Sequence, residues 1–347
     1  MKNIYFILVL TILSACGSNG SAPFNSSMIR ASSSQYLYVV SGTCYGGGVA
    51  TSAGPANIVV KYNLADGSFK SLVVDYNQLS PGGSPIAIAD YESNRLLVLV
   101  ENASGRRIDL VQKDGSAVLT YLTNSAVFAT VMRSFVLLSD FSILISKTTA
   151  VEKFNSGKSR ILSGVNPFVN APAGSCATST TLISSVVAHS SGKIIYTHAA
   201  ASPNNLIGVI NSTGYNVAAD CNSGTAAPTA LALPTRAIFH PNGKLLVSFG
   251  SITAANNYIY SYDFNGATGA ITNPVAVFND GGTIVNGPSS MAVDINSNDV
   301  FVTNVTSSFN TIERFHFVNN SLSRTTSQTF IPYGAYTRCI SDMRVMN

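Results

Sequence analysis

Three arginines, Arg133, Arg236 and Arg338, each stand at or just before the start of a short apolar segment that recurs along the chain. Guanidinium forks suit carboxylates and phosphates, so three of them around one opening would make an anion-binding mouth. The bland alternative is that they pair with loop carboxylates or stack on tyrosines such as Tyr333 and Tyr336. His189 and His240 share a repeat position with Asp90 and Asp294. Two imidazoles on neighbouring units could ligate a metal. The position precedes a tight turn, however, where Asp, Asn and His side chains bond the local backbone, so no metal site and no cofactor is assigned. His198 and His316 sit alone on strands and are expected to be partly exposed. Carboxylates are scarce, 16 in the chain, with Asp220 and Asp280 the best placed near long connections. No GxSxG, HExxH, Walker or GxGxxG motif appears in its required context, and the glycines at 46–48 precede no helix. No catalytic residue is assigned.

The elements that must position these residues are strands throughout. Apolar runs of four to seven residues alternate with Gly/Asn/Ser/Asp turns. Five segments align: SPIAIADYESNRLLVLV from 84, SSVVAHSSGKIIYTH from 184, TRAIFHPNGKLLVSFG from 235, SSMAVDINSNDVFVTN from 289 and TRCISDMRVMN from 337. Their landmarks are Asp90, His189, His240, Asp294 and Asp342, spaced 99, 51, 54 and 48 apart. SFVLLSDFSILIS from 134 fills the double gap, with Ser139 or Asp140 as its landmark. A second strand type recurs in NIVVKYNLADGS, RRIDLVQKDGS, TAVEKFNSGKS, NLIGVINSTGY, NYIYSYDFNGATG and NTIERFHFVNNS. Four strands in about 50 residues is the size of a propeller blade.

The fold class is therefore all-β, a propeller of six four-stranded blades over 35–347; a seventh would need extra strands hidden in 134–163. The last inner strand lacks its partners, and YLYVVSG, NIVVKYN and SFKSLVV near the start supply them. The two ends then share one blade and close the ring, which removes exposed sheet edges. The runs PIAIADYESNRLLVLV and SSMAVDINSNDVFVTN resemble NHL and YVTN-type repeats. That resemblance implies architecture, since propellers host unrelated activities.

Lys2 and the apolar run Ile4 to Ala15 have the layout of a secretory signal over 1–15, too short for a lasting transmembrane helix. Leu13-Ser14-Ala15-Cys16 resembles the bacterial lipobox. The resemblance implies cleavage before Cys16 and lipid (thioether diacylglyceryl and an acyl chain such as palmitate) on that residue. More than one chain gives a stable membrane anchor. Gly17, rather than aspartate, follows Cys16; by the same resemblance this points to the outer membrane. Residues 16–34, small and polar, form a flexible lipidated tether.

Four cysteines remain, Cys44, Cys176, Cys221 and Cys339. In an oxidising compartment an even number suggests disulfides. Three connectivities are open; Cys176–Cys221 and Cys44–Cys339 are favoured, and buried free thiols are the alternative. Simple pairing sets Cys339 opposite about Val39, so that Cys44 must fold back to reach it.

The net charge of +4 is scattered, so nucleic acid has no electrostatic footprint here. Nothing indicates an oligomer, and a monomer is expected. Short turns mark one face of the propeller. The other carries the long connections 42–56, 76–84, 163–183, 198–205, 222–234, 249–257 and 279–287. Function concentrates on long loops over rigid scaffolds. The expected role is a membrane-anchored envelope lipoprotein whose long-loop face recognises a protein, glycan or small anionic ligand. The alternatives are a lactonase-like or metal-dependent hydrolase and a structural cell-surface component.

Overall fold

The computed structural model describes residues 35–42, 56–123, 125–128, 131–147, 150–162, 169–170, 183–198, 206–211, 222–226, 233–250, 258–278, 287–305 and 310–347. The signal segment, the tether with Cys16, and Cys44, Cys176, Cys221, Asp220 and Asp280 lie outside these residues.

The described strands form six antiparallel sheets, one per blade, arranged as a six-bladed propeller. Blade 1 runs from axis to rim as β25 (Ile340–Met346), β1 (Tyr36–Ser41), β2 (Ile58–Asn63) and β3 (Phe69–Asp75). Blade 2 is β4 (Ser84–Glu92), β5 (Arg95–Asn102), β6 (Gly105–Gln112) and β7 (Val118–Leu122). Blade 3 is β8 (Met132–Leu137), β9 (Ile143–Lys147), β10 (Ala150–Phe154) and β11 (Arg160–Ile161), with β12 (Val169–Asn170) also on β10. Blade 4 is β13 (Ile183–Ala188), β14 (Lys193–His198), β15 (Leu206–Asn211) and β16 (Asn222–Ala226). Blade 5 is β17 (Leu233–Phe239), β18 (Leu245–Gly250), β19 (Tyr258–Phe264) and β20 (Ile271–Phe278). Blade 6 is β21 (Met291–Asp294), β22 (Asp299–Val305), β23 (Asn310–Val318) and β24 (Ser321–Arg324). The inner strands touch in the order β25, β4, β8, β13, β17, β21 and back to β25, so the ring is closed.

A blade buries both faces against its neighbours, which is why strands such as RLLVLVEN read as continuous apolar runs. The core is accordingly divided among the six seams. On β5, Leu97 and Leu99 pack toward blade 3, while Leu96, Val98 and Val100 pack toward blade 1. Each of the other seams has its own cluster, such as Leu37, Val39, Phe301 and Met343 between blades 6 and 1.

Three local expectations change. Segment 222–226, read as loop, is the rim strand β16. In the closing blade, Val39 faces Met343 and Val40 faces Asp342. Cys339 lies instead beside Gly42, whose N–H donates to the Cys339 carbonyl at 3.1 Å, so Cys44 is two residues from it along the chain. Cys339 is buried and disulfide-bonded. The other three cysteines of the body lie outside the described residues, and neither favoured pairing is described. Asp342 does not end its strand beside a short turn: it is the third residue of β25 and faces the axis.

Candidate functional site

The inner strands build the site. In blades 1 to 5 each carries a one-residue bulge near its start, at Ser341, Ile86, Arg133, Ser184 and Thr235. A bulge re-aims the side chains on either side of it. At this level hydroxyls latch blade 4 to 5, 5 to 6, 6 to 1 and 1 to 2. Ser184 Oγ donates to the Pro234 carbonyl at 2.8 Å and Thr235 Oγ1 to the Pro288 carbonyl at 2.6 Å. Ser289 Oγ reaches the Ile340 carbonyl at 3.1 Å, and Ser341 Oγ the Pro85 carbonyl at 3.4 Å. Second-strand hydroxyls brace the same level: Ser146 Oγ accepts from Ser134 N at 2.9 Å, and Thr303 Oγ1 from Ser290 N at 2.9 Å. This latch was missed in the sequence, yet its signal is there. Ser184, Thr235, Ser289 and Ser341 recur at blade spacing, as do Ser146, Thr197, Ser248 and Thr303.

The residue after each bulge forms the next layer: Asp342, Ala87, Ser134, Ser185 and Arg236, with Ser290 from blade 6. All six are buried. Arg236 of blade 5 spans the channel; its Nη2 pairs with Asp342 Oδ1 of blade 1, and its Nη1 lies 3.4 Å from Ser134 Oγ of blade 3. Asp342 also accepts from Ile88 N at 3.0 Å, from its neighbour Met343 N at 2.9 Å and from Ser290 Oγ at 3.3 Å. Arg344 Nε approaches its other oxygen at 3.9 Å. With Arg236 2% and Asp342 0% exposed, the ion pair is shielded from water. Burial lowers the Arg236 pKa to about 10, with Asp342 opposing the shift. The guanidinium therefore stays charged at neutral pH.

The three arginines are thus not equivalent. Arg236 lies within the channel and is committed to Asp342. Arg133, at the bulge of β8, and Arg338, just before β25, remain at the long-loop ends of their strands and are half-buried. The Arg338 Nε–H is buried without an acceptor.

On the short-turn face the repeat landmarks serve the turns. His240 Nδ1 accepts from Asn242 N at 3.3 Å while its Nε2–H donates to the Asn298 carbonyl at 3.2 Å. His189 Nδ1 accepts from Ser191 N at 3.1 Å, Asp294 from Asn296 N at 2.9 Å, and Asp140 from Ser142 N at 2.9 Å. In blade 3 the landmark position falls on neither Ser139 nor Asp140 but on Leu138, whose N–H and carbonyl bond Ser142 and Phe141 as those of His189 bond Lys193 and Gly192. Asp90 instead pairs with Lys113 at 2.8 Å. Burial lowers the pKa of both His189 and His240. His316 is partly exposed beside Asp299, but His198 is fully buried at the end of β14, against expectation. Among the described residues no three His, Cys, Asp or Glu side chains gather as a metal-holding group, and no helix is long and apolar enough to cross a membrane.

No protein-family model matches the chain, and no curated protein matches it. Several solved structures are similar in shape. A Bacteroides caccae protein of unknown function aligns over 91% of this chain and 100% of its own, at 13% identity and a TM-score of 0.56. The nidogen/laminin complex contains a chain aligned over 90% of this one and 98% of its own, at 11% identity and a TM-score of 0.61. A gluconolactonase from Xanthomonas campestris aligns over 84% of this chain and 88% of its own, at 14% identity and a TM-score of 0.53. At such identities the likeness is one of fold, and the chain shares the propeller architecture of all three.

Proposed function

We propose that this protein is a lipid-anchored binding propeller of the bacterial envelope, held at the outer membrane through Cys16 and recognising its ligand at the long-loop mouth. The observation that carries the reading is the buried ion pair across the axis. The carboxylate that β25 brings to the axis is saturated by Arg236, by Ser290 and by two backbone N–H groups. It has the environment of a structural group rather than of a free base or metal ligand. Above this layer, Arg133 and Arg338 stand half-buried at the long-loop ends of β8 and β25, and guanidinium forks suit a carboxylate or phosphate group. A lactonase-like or metal-dependent hydrolase finds no carboxylate cluster among the described residues to build on.

The test is a thermal-shift screen of the full-length protein against organic anions, sugars, nucleotides and divalent metals, repeated on an Arg133→Ala/Arg338→Ala variant. A ligand at a hundred times its Kd adds about 2.7 kcal/mol. The reading expects an anion shift that the double variant loses.

A further inference from the structure

The short-turn face, opposite the mouth, carries a second set of residues that folding does not explain. Among the described residues eight non-glycine positions have positive φ. Five are asparagines, which tolerate that region. The other three are Phe141, Lys158 and Cys339, with φ of 61°, 66° and 50°. Cys339 belongs to a disulfide. Phe141 and Lys158 both belong to blade 3, and both point to one place.

Phe141 occupies the tip of the β8–β9 turn, where other blades have Gly192, Gly243 and Asn298 at positive φ. Lys158 occupies the tip of the β10–β11 turn, where other blades have Gly67, Gly115 and Gly269. Two adjacent turns have therefore given up the residue their backbone prefers. Phe141 gains little burial in return, since it is 45% exposed. Its ring stands edge-on to Tyr91 of blade 2, with centroids 5.7 Å apart, and Tyr91 meets Tyr121 at 5.3 Å. The Lys158 ammonium caps the Tyr121 ring at 4.3 Å. Leu119, two residues before Tyr121 on the rim strand β7, is 64% exposed. The phenol oxygens of Tyr91 and Tyr121 are 3.5 Å apart, at the limit of a hydrogen bond, so both retain capacity for a ligand. Burial raises the Tyr121 pKa, and the phenol stays a donor through the neutral range. Backbone strain kept at exposed positions, here around one tyrosine pair, is a mark of functional sites.

We propose that this seam between blades 2 and 3 is a carbohydrate-binding patch. Aromatic rings at varied angles offer surfaces for the C–H faces of a pyranose. Two phenol hydroxyls and an ammonium offer partners for its equatorial hydroxyls. Size favours a sugar over a protein. A fully buried aromatic hides about 150–250 Å², so the exposed apolar area of Phe141 and Leu119 with the two tyrosines is on the order of 300 Å². A stable protein partner needs about 800 Å² per side. This site lies on the face opposite the long-loop mouth and does not depend on it.

The test uses the full-length protein on a printed array of oligosaccharides of glucose, galactose, mannose, xylose and N-acetylglucosamine. Wild type should be retained on at least one class, and Phe141→Gly and Tyr121→Ala should each weaken retention at least tenfold. Arg133→Ala/Arg338→Ala should leave it unchanged. Because glycine suits the turn, Phe141→Gly should melt at or above the wild-type midpoint. Retention on no sugar, retention unaltered by both patch variants, or a Phe141→Gly midpoint several degrees below wild type would each overturn the proposal.

Discussion

Arg236 on β17 and Asp342 on β25 are 106 residues apart in sequence and joined across the propeller axis by a buried ion pair. The strand that closes the ring is thereby tied to a blade it does not adjoin. Removing one member leaves the other charge buried and unpaired, which costs about 3–5 kcal/mol, whereas replacing both by apolar residues of similar volume is often neutral. Asp342→Ala should therefore lower the unfolding free energy by about that amount. Arg236→Met combined with Asp342→Leu should recover most of the loss. Denaturant titration of the singles and the double measures the coupling.

The hydroxyl latch should contribute additively. Each hydrogen bond is worth about 0.5–1.5 kcal/mol net. Ser184→Ala and Thr235→Val belong to different seams and should each destabilise by roughly 1 kcal/mol, with the pair summing. Equal stability of the double variant and wild type would show the latch to be idle.

Acid should weaken the short-turn face. His189 and His240 are held below their ordinary pKa of about 6.5 by burial. The unfolded chain then binds more protons than the folded one in the window just below that value. Stability is full above about pH 6.5 and falls as the pH drops through the lowered folded values. The melting midpoint should decrease from pH 7.5 to 5.5, and His240→Asn, which keeps a side-chain acceptor for the turn, should flatten the decrease.

The repeat, the blade count and the shared closing blade were legible because each blade buries two faces, which forces continuous apolar strands at a fixed spacing. The register of the closing strand was not. Asp342 matches the landmark residues in type, but it corresponds to Ala87 of blade 2, three positions before the landmark Asp90. The 48-residue step from Asp294 was the trace of that offset. The role of Arg236 was also hidden, because pairing across an axis leaves no local pattern. Phe141 was overlooked since a turn residue reads as ordinary until its φ of 61° is known.

At the N-terminus, Cys16→Ala should abolish incorporation of radioactive palmitate; labelling that persists would remove the anchor. Non-reducing peptide mapping should recover Cys44 joined to Cys339, and a Cys339 peptide joined to Cys176 or Cys221 would replace that pairing.

Ligand recognition is placed at the long-loop mouth, where Arg133 and Arg338 stand above the buried Arg236–Asp342 pair. The most direct measurement is the thermal-shift screen of the full-length protein beside its Arg133→Ala/Arg338→Ala variant. The account predicts a reproducible rise in midpoint with a carboxylate- or phosphate-bearing ligand, absent in the variant. It is contradicted by an equal rise in the variant, by no response to any anion, or by a response to a divalent metal accompanied by lactone hydrolysis.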